Sequence, residues 1–274
     1  MTISRFNAIA FVMLLTMLAP WGGKWGGEWG GVFAEAPAPE ADPQVVDWLD
    51  QLEERGQAIR TLTGSVSYAR VDELLGEEQV RIGKLWYVAA DDEDDQPARF
   101  AVHFNQLVID DALRQQDRHF IFDGEWLVEK QPDRKLFQKR QVVPPGESFD
   151  PLQVDGPFPM PIGQRRDDVL ARFNVELIEP EPDHEHLVHL KLTPRDDVPR
   201  GDGEADFDRV DMWFHRETLL PERVETRQGH HRTTVALYDK EVDEMSKQQI
   251  AERFDVTAPD SGSGWRVEIT PYEG

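Results

Sequence analysis

The chain of 274 residues contains no cysteine, so neither a disulfide nor a thiolate metal site is available to hold it together. Lipid anchoring through an N-terminal cysteine is excluded for the same reason. Basic residues are scarce: 30 Lys and Arg stand against 53 Asp and Glu, a net charge of −23. So acidic a chain is repelled by nucleic acid and by anionic lipid surfaces. Phosphate-binding loops, dinucleotide fingerprints and nucleophile elbows are absent. Long apolar runs are also missing, apart from one near the start.

That run, Ala8 to Ala19, follows Arg5 and ends at Pro20. It fits the h-region of an export signal and is short for a membrane span. Val32-Phe33-Ala34 offers a cleavage site, so residues 1–34 are read as a signal peptide and the protein as periplasmic and unanchored. Trp21, Trp25 and Trp29 recur in the intervening WGGKWGGEWGG. They read as part of a discarded leader; a retained interfacial tether is the alternative. Residues 35–41, rich in proline, read as a disordered leader.

From Asp42-Pro43 onward the spacing of Val45, Leu49, Leu52 and Ile59 predicts an amphipathic helix reaching about Arg60. Alternating segments then predict about six strands joined by short turns, hence antiparallel neighbours: Leu62 to Val71, Val80 to Val88, Arg99 to Asp110, Arg114 to Phe122, Glu125 to Lys130 and Leu136 to Val142. Gly83 marks a bulge or a close strand approach. Phe100, Val102, Phe104 and Val108 are expected on one face. The alternation of Phe120, Phe122, Trp126 and Val128 around an Asp-Gly turn is likewise expected to place all four together.

Residues 144–164 carry six prolines, yet also Phe149, Leu152, Phe158, Met160 and Ile162. A solvated loop would not hold so much apolar surface. With the short helix Asp167 to Phe173, containing Leu170, this segment (144–173) is read as a cover over the sheet. Five further strands are expected between Val175 and Tyr238, a helix or turn at Ser246 to Phe254, and a terminal strand at Trp265 to Thr270. The acidic tip at Asp91 to Asp95 is read as a solvated loop.

Reaction chemistry is hard to place. The carboxylate pairs Asp110/Asp111, Asp167/Asp168 and Asp196/Asp197 are what 53 acids produce by chance, and none adjoins an evident base or nucleophile. His184, His186, His189, His215, His230 and His231 suggest a metal. However, His184 and His186 share a strand face from which His189 points away, so ordinary surface histidines are the simpler reading. No catalytic residue, metal ligand or cofactor is assigned, and the chain is read as not an enzyme.

The order of short motifs resembles the periplasmic lipoprotein carriers of the LolA type. After the leader helix come Leu62-Thr-Gly-Ser-Val-Ser-Tyr, Gly83-Lys-Leu-Trp-Tyr, Arg99-Phe and Phe122-Asp-Gly-Glu-Trp-Leu-Val-Glu with Phe137. Asp211-Met-Trp-Phe, Leu220-Pro-Glu-Arg-Val-Glu and Phe254-Asp-Val-Thr-Ala-Pro then follow. The resemblance implies an α+β fold, mainly antiparallel: an unclosed β half-barrel over residues 42–259, with helices covering an apolar concave face and 260–274 as a tail or strand. It implies a monomeric soluble carrier of lipoprotein acyl chains or another lipid-like ligand, working between a membrane donor protein and an acceptor protein. Phe100, Val102, Phe104, Phe120, Phe122, Trp126, Val128, Met212 and Phe214 would line its cavity. Phe149, Leu152, Phe158, Met160, Leu170 and Phe173 would belong to the cover. Arg70 or Arg81 would correspond to the basic residue that helps such carriers open and close. The same architecture also serves envelope sensors, so a scaffold that binds protein partners without lipid is the second reading.

Overall fold

The computed structural model describes residues 42–91, 96–143, 162–198 and 207–272. The segments read as signal peptide and leader, residues 92–95 of the acidic stretch, and Phe149, Leu152, Phe158 and Met160, which were expected in a cover, lie outside them.

Helix α1 (Pro43–Gln57) begins where expected. Asp42 caps it by accepting from the Gln44 amide at 2.8 Å, with proline in the first turn. It ends at Gln57, short of Arg60, and its Gly56 abuts Gly163. A Cβ on Gly56 would lie 2.1 Å from the Gly163 Cα, and Gly163 itself adopts φ 73°.

The strands are β1 (Thr61–Asp72), β2 (Glu77–Val88), β3 (Arg99–Ile109), β4 (Ala112–Phe122), β5 (Trp126–Gln131), β6 (Leu136–Gln141), β7 (Phe173–Ile178), β8 (Leu187–Pro194), β9 (Arg209–His215), β10 (Pro221–Gln228), β11 (His231–Val242) and β12 (Arg266–Thr270). They form one 12-stranded sheet in the order β12-β6-β5-β4-β3-β2-β1-β11-β10-β9-β8-β7. Two antiparallel meanders, β1 to β6 and β7 to β11, are therefore joined at β1 and β11, and the sheet stays open between its edges. This is the unclosed half-barrel expected from the sequence. Strand β12 is the exception to antiparallel pairing, lying parallel to β6. Short helices α2 (Arg166–Arg172) and α3 (Lys247–Arg253) complete the fold, the latter opened by a Ser246/Gln249 capping box.

Register defines two faces. Leu190, Met212, Val224, Val235, Tyr68 and Arg81 are successive cross-strand partners, so they share one face from β8 to β2. Farther on, Val102 pairs with Phe120 and Phe100 with Phe122, which in turn pairs with Leu127. We call this the inner face. Helices α1 and α2 cover it over β7 to β10, where Val45, Leu49 and Val169 pack against Val188, Leu190, Leu192, Val210, Met212 and Phe214.

Two alternations fail across irregularities. Phe122 pairs with Leu127, so the turn at Asp123 swaps the parity of the faces and sends Trp126 and Val128 outward. A bulge at Asn105 does the same to Val108, which leaves the face of Phe100, Val102 and Phe104. Gly83 sits at this bulge, where an added Cβ would lie 2.0 Å from the His103 carbonyl oxygen.

Candidate functional site: the apolar inner face

Across β11 to β5 the inner face is a single apolar cluster. Leu62, Val66 and Tyr68 come from β1, Leu85 and Tyr87 from β2, Phe100, Val102 and Phe104 from β3, Phe120 and Phe122 from β4, and Leu127 from β5. Ring packs on ring: Phe100 against Phe122 at 5.9 Å, Phe104 edge-on to Phe120 at 6.2 Å, and Tyr68 edge-on to Phe104 at 6.2 Å. Val143 and Ile162 belong to the same cluster, 2% and 3% exposed. The described residues on either side of the Pro-rich stretch, Val143 and Ile162, thus belong to the inner face.

Of the nine lining residues expected from sequence, seven share this face. Phe100, Val102, Phe104, Phe120 and Phe122 lie in the cluster just described, whereas Met212 and Phe214 lie under α1. Trp126 and Val128 point to the opposite face, where Val128 packs with Ile121, Phe137 and Phe254. Of the cover residues, Leu170 and Phe173 are described, and both pack with α1 and β8. Leu62, Val66, Tyr68, Leu85, Tyr87 and Leu127 share this face as well and were not among the residues expected there. The alternation of β1 was visible, but which parity faced inward depended on register.

One end of the inner face is charged. Arg118 donates from Nε to Glu129 Oε1 at 2.7 Å, and its guanidinium lies 5.1 Å from the Phe120 ring centroid. Arg81, 7% exposed, stands on the same face across from Tyr68. Burial lowers its pKa, and the nearby Arg118 lowers it further, while Tyr68 and Glu129 oppose the shift. Burial raises the Tyr68 phenol despite the arginines Arg70 and Arg81 beside it. The arrangement is therefore a wide apolar wall ending in a tight group of arginines with one carboxylate.

Two open clefts lie elsewhere. One of about 560 Å³ runs between α1 and β7–β8, lined by Trp48, Leu177, Ile178, Val188 and Arg216 among others. The other, about 470 Å³, is bordered by Asp183, Glu185, His186, His215 and Glu217. The rings of His184 and His186 are 6.2 Å apart and those of His186 and His215 6.0 Å. His189 instead contacts Asp211 on the outer face at 2.8 Å. Among the described residues no helix is long and apolar enough to cross a membrane.

No family model matches the sequence, and no curated protein matches it either. Among solved structures the chain is similar to lipoprotein LppX of Mycobacterium tuberculosis (13% identity, 75% of this chain and 98% of that one, TM-score 0.42). It is also similar to MucB in the complex of MucA and MucB from Pseudomonas aeruginosa (17% identity, 79% and 61%, TM-score 0.39). The solved structures similar to it include a LolA superfamily protein, from Nitrosomonas europaea (10% identity, 74% and 94%, TM-score 0.31).

Proposed function

We propose that this protein is an exported, soluble carrier that takes acyl chains of lipoproteins, or a similar lipid, onto the inner face of its half-barrel and moves them between envelope membranes. The observation that supports this reading is the apolar wall from Leu62 to Leu127, to which Val143 and Ile162 also belong. Opening the wall would admit a ligand. Each methylene then buried would contribute about 0.8 kcal/mol. Arg81 is the better placed of the two gating arginines, because it is the one buried on the inner face next to Arg118. A donor and an acceptor protein would engage the rim, and the strong negative charge would keep the loaded carrier off anionic headgroups.

A second reading is supported by the tightness of the same wall. Phe104 and Phe122 are each 1% exposed, as in a core that holds no ligand. The protein would then be a scaffold for protein partners.

The two readings separate in one experiment. Native mass spectrometry of protein isolated from its own host is expected to show a co-purified acyl ligand, and a fluorescent palmitate analogue is expected to bind the delipidated chain. Phe122→Glu should abolish uptake, and Val66→Phe, which fills the wall without adding charge, should weaken it at least tenfold. Folded variants that take up the probe unchanged, or a native protein that carries and binds no lipid, would reject the carrier in favour of the scaffold.

A further inference from the structure

On the outer face of the sheet, His103 of β3 stands directly opposite His119 of β4. Their rings stack with centroids 3.9 Å apart and planes at 8°. Asp117 Oδ1 lies 2.9 Å from His103 Nε2 and 2.8 Å from His119 Nε2. A single carboxylate oxygen therefore faces both imidazoles. A local irregularity brings it there: from Phe104 to Gln106 β3 advances two residues while β4 moves from Arg118 to Gln115, three residues. Asp117 falls within that offset, and offsets of this kind re-aim side chains.

Two histidines hydrogen-bonded to an aspartate would make an ordinary surface contact, but the spacing carries further. Ligand atoms at right angles around a cation, each about 2.05 Å away, are separated by about 2.9 Å. The two nitrogen-to-oxygen separations here already match that value. All three donor atoms lie within 4.8 Å of one another. The side chains are 29–45% exposed, so water could fill the remaining positions.

Two imidazoles and one carboxylate favour Zn²⁺, Cu²⁺ or Ni²⁺ over Ca²⁺ or Mg²⁺, which prefer oxygen. The neighbouring strands place Lys84 across from His103 and Lys130 across from His119. Lys130 is turned toward the Asp255 carbonyl, to which Nζ donates at 2.7 Å, and Lys84 is exposed to solvent.

We propose that His103, Asp117 and His119 form a binding site for one borderline divalent cation that clamps β3 to β4 from outside. The clamp lies on the reverse side of the strands carrying Phe104 and Phe120, and would stiffen that part of the inner wall.

Titration of the tag-free, chelator-treated chain with Cu²⁺ should show one site per chain, with nitrogen splitting from two imidazoles in its electron paramagnetic resonance spectrum. His103→Gln, His119→Gln and Asp117→Asn should each weaken binding at least tenfold. The double variant H184Q/H186Q should leave it unchanged. Saturating Zn²⁺ should raise the melting temperature of the native chain and not that of His119→Gln. A native spectrum without imidazole nitrogen, or binding that survives His119→Gln and disappears in H184Q/H186Q, would overturn the assignment.

Discussion

On the inner face of β3 and β4 aromatic rings pack against aromatic rings, whereas on the outer face of β2, β5 and β6 they lie beneath cations. Arg253 lies 4.6 Å from the Trp86 ring, Lys139 4.8 Å from Trp126, and Lys130 5.7 Å from Phe137. Arg99 is similarly 5.5 Å from Phe254. A cation can lie over a ring while its tip keeps its hydration wherever it reaches water, which the outer face permits. Inside, Arg118 does this over Phe120 at the charged end, and Arg172 and Arg216 over Phe173 and Trp48 around α1 and α2. Ring-on-ring packing thus dominates the inner wall of β3 and β4, and cation-on-ring contact the opposite side, against which α3 packs. Over β9 and β10 the contrast sharpens. Their inner side holds Val210, Met212, Phe214 and Val224, while the outer side holds Arg209, Asp211, Trp213 and Glu225.

The comparison breaks most visibly at Phe104. Its replacement by alanine should cost about 4 kcal/mol in urea-induced unfolding, because the cavity left is enclosed by Tyr68 and Phe120. A loss below about 1 kcal/mol would mean that the inner wall is loose rather than sealed.

Next comes Asp211, whose side chain is 1% exposed on the outer face. Burial raises its pKa, but hydrogen bonds from His189 and Arg209 outweigh this and hold it below the usual carboxylate value. A depressed carboxylate stabilises fully above its unfolded pKa. That stability is lost as pH falls below about 4, through the folded value. Asp211→Asn should therefore cost about 2–3 kcal/mol at neutral pH and flatten the acid limb of the stability profile. Unfolding curves measured between neutral and acid pH test both, and an unchanged acid limb would show that the pair contributes nothing there.

The smallest effect belongs to the cation-covered side. Arg253→Ala should lower stability by about 0.5–1 kcal/mol, and added salt should shrink the difference. A loss as large as that at Phe104 would erase the distinction between the faces.

Much of this architecture was legible in the residues. Asp42-Pro43 announced the helix start, the alternations located the strands to within a few residues, and Gly83 signalled the bulge. Legibility ended where side-chain direction passed through a turn or an offset. Around Asp123 the pairing of Phe122 with Leu127 reversed the parity that an Asp-Gly turn had suggested, which moved Trp126 and Val128 to the wrong side. His103 and His119 sit sixteen positions apart and carry no spacing motif, so only the β3–β4 register joins them.

By itself, the sequence determined the list of elements, the apolar stripe on each, and a chain held together without disulfides, because these depend on local periodicity and composition. Tertiary structure decided which stripe faced inward, that the two meanders meet at β1 and β11, and that β12 runs parallel along β6. Those outcomes depend on strand register, and register is set by bulges, turns and contacts between residues far apart in the chain.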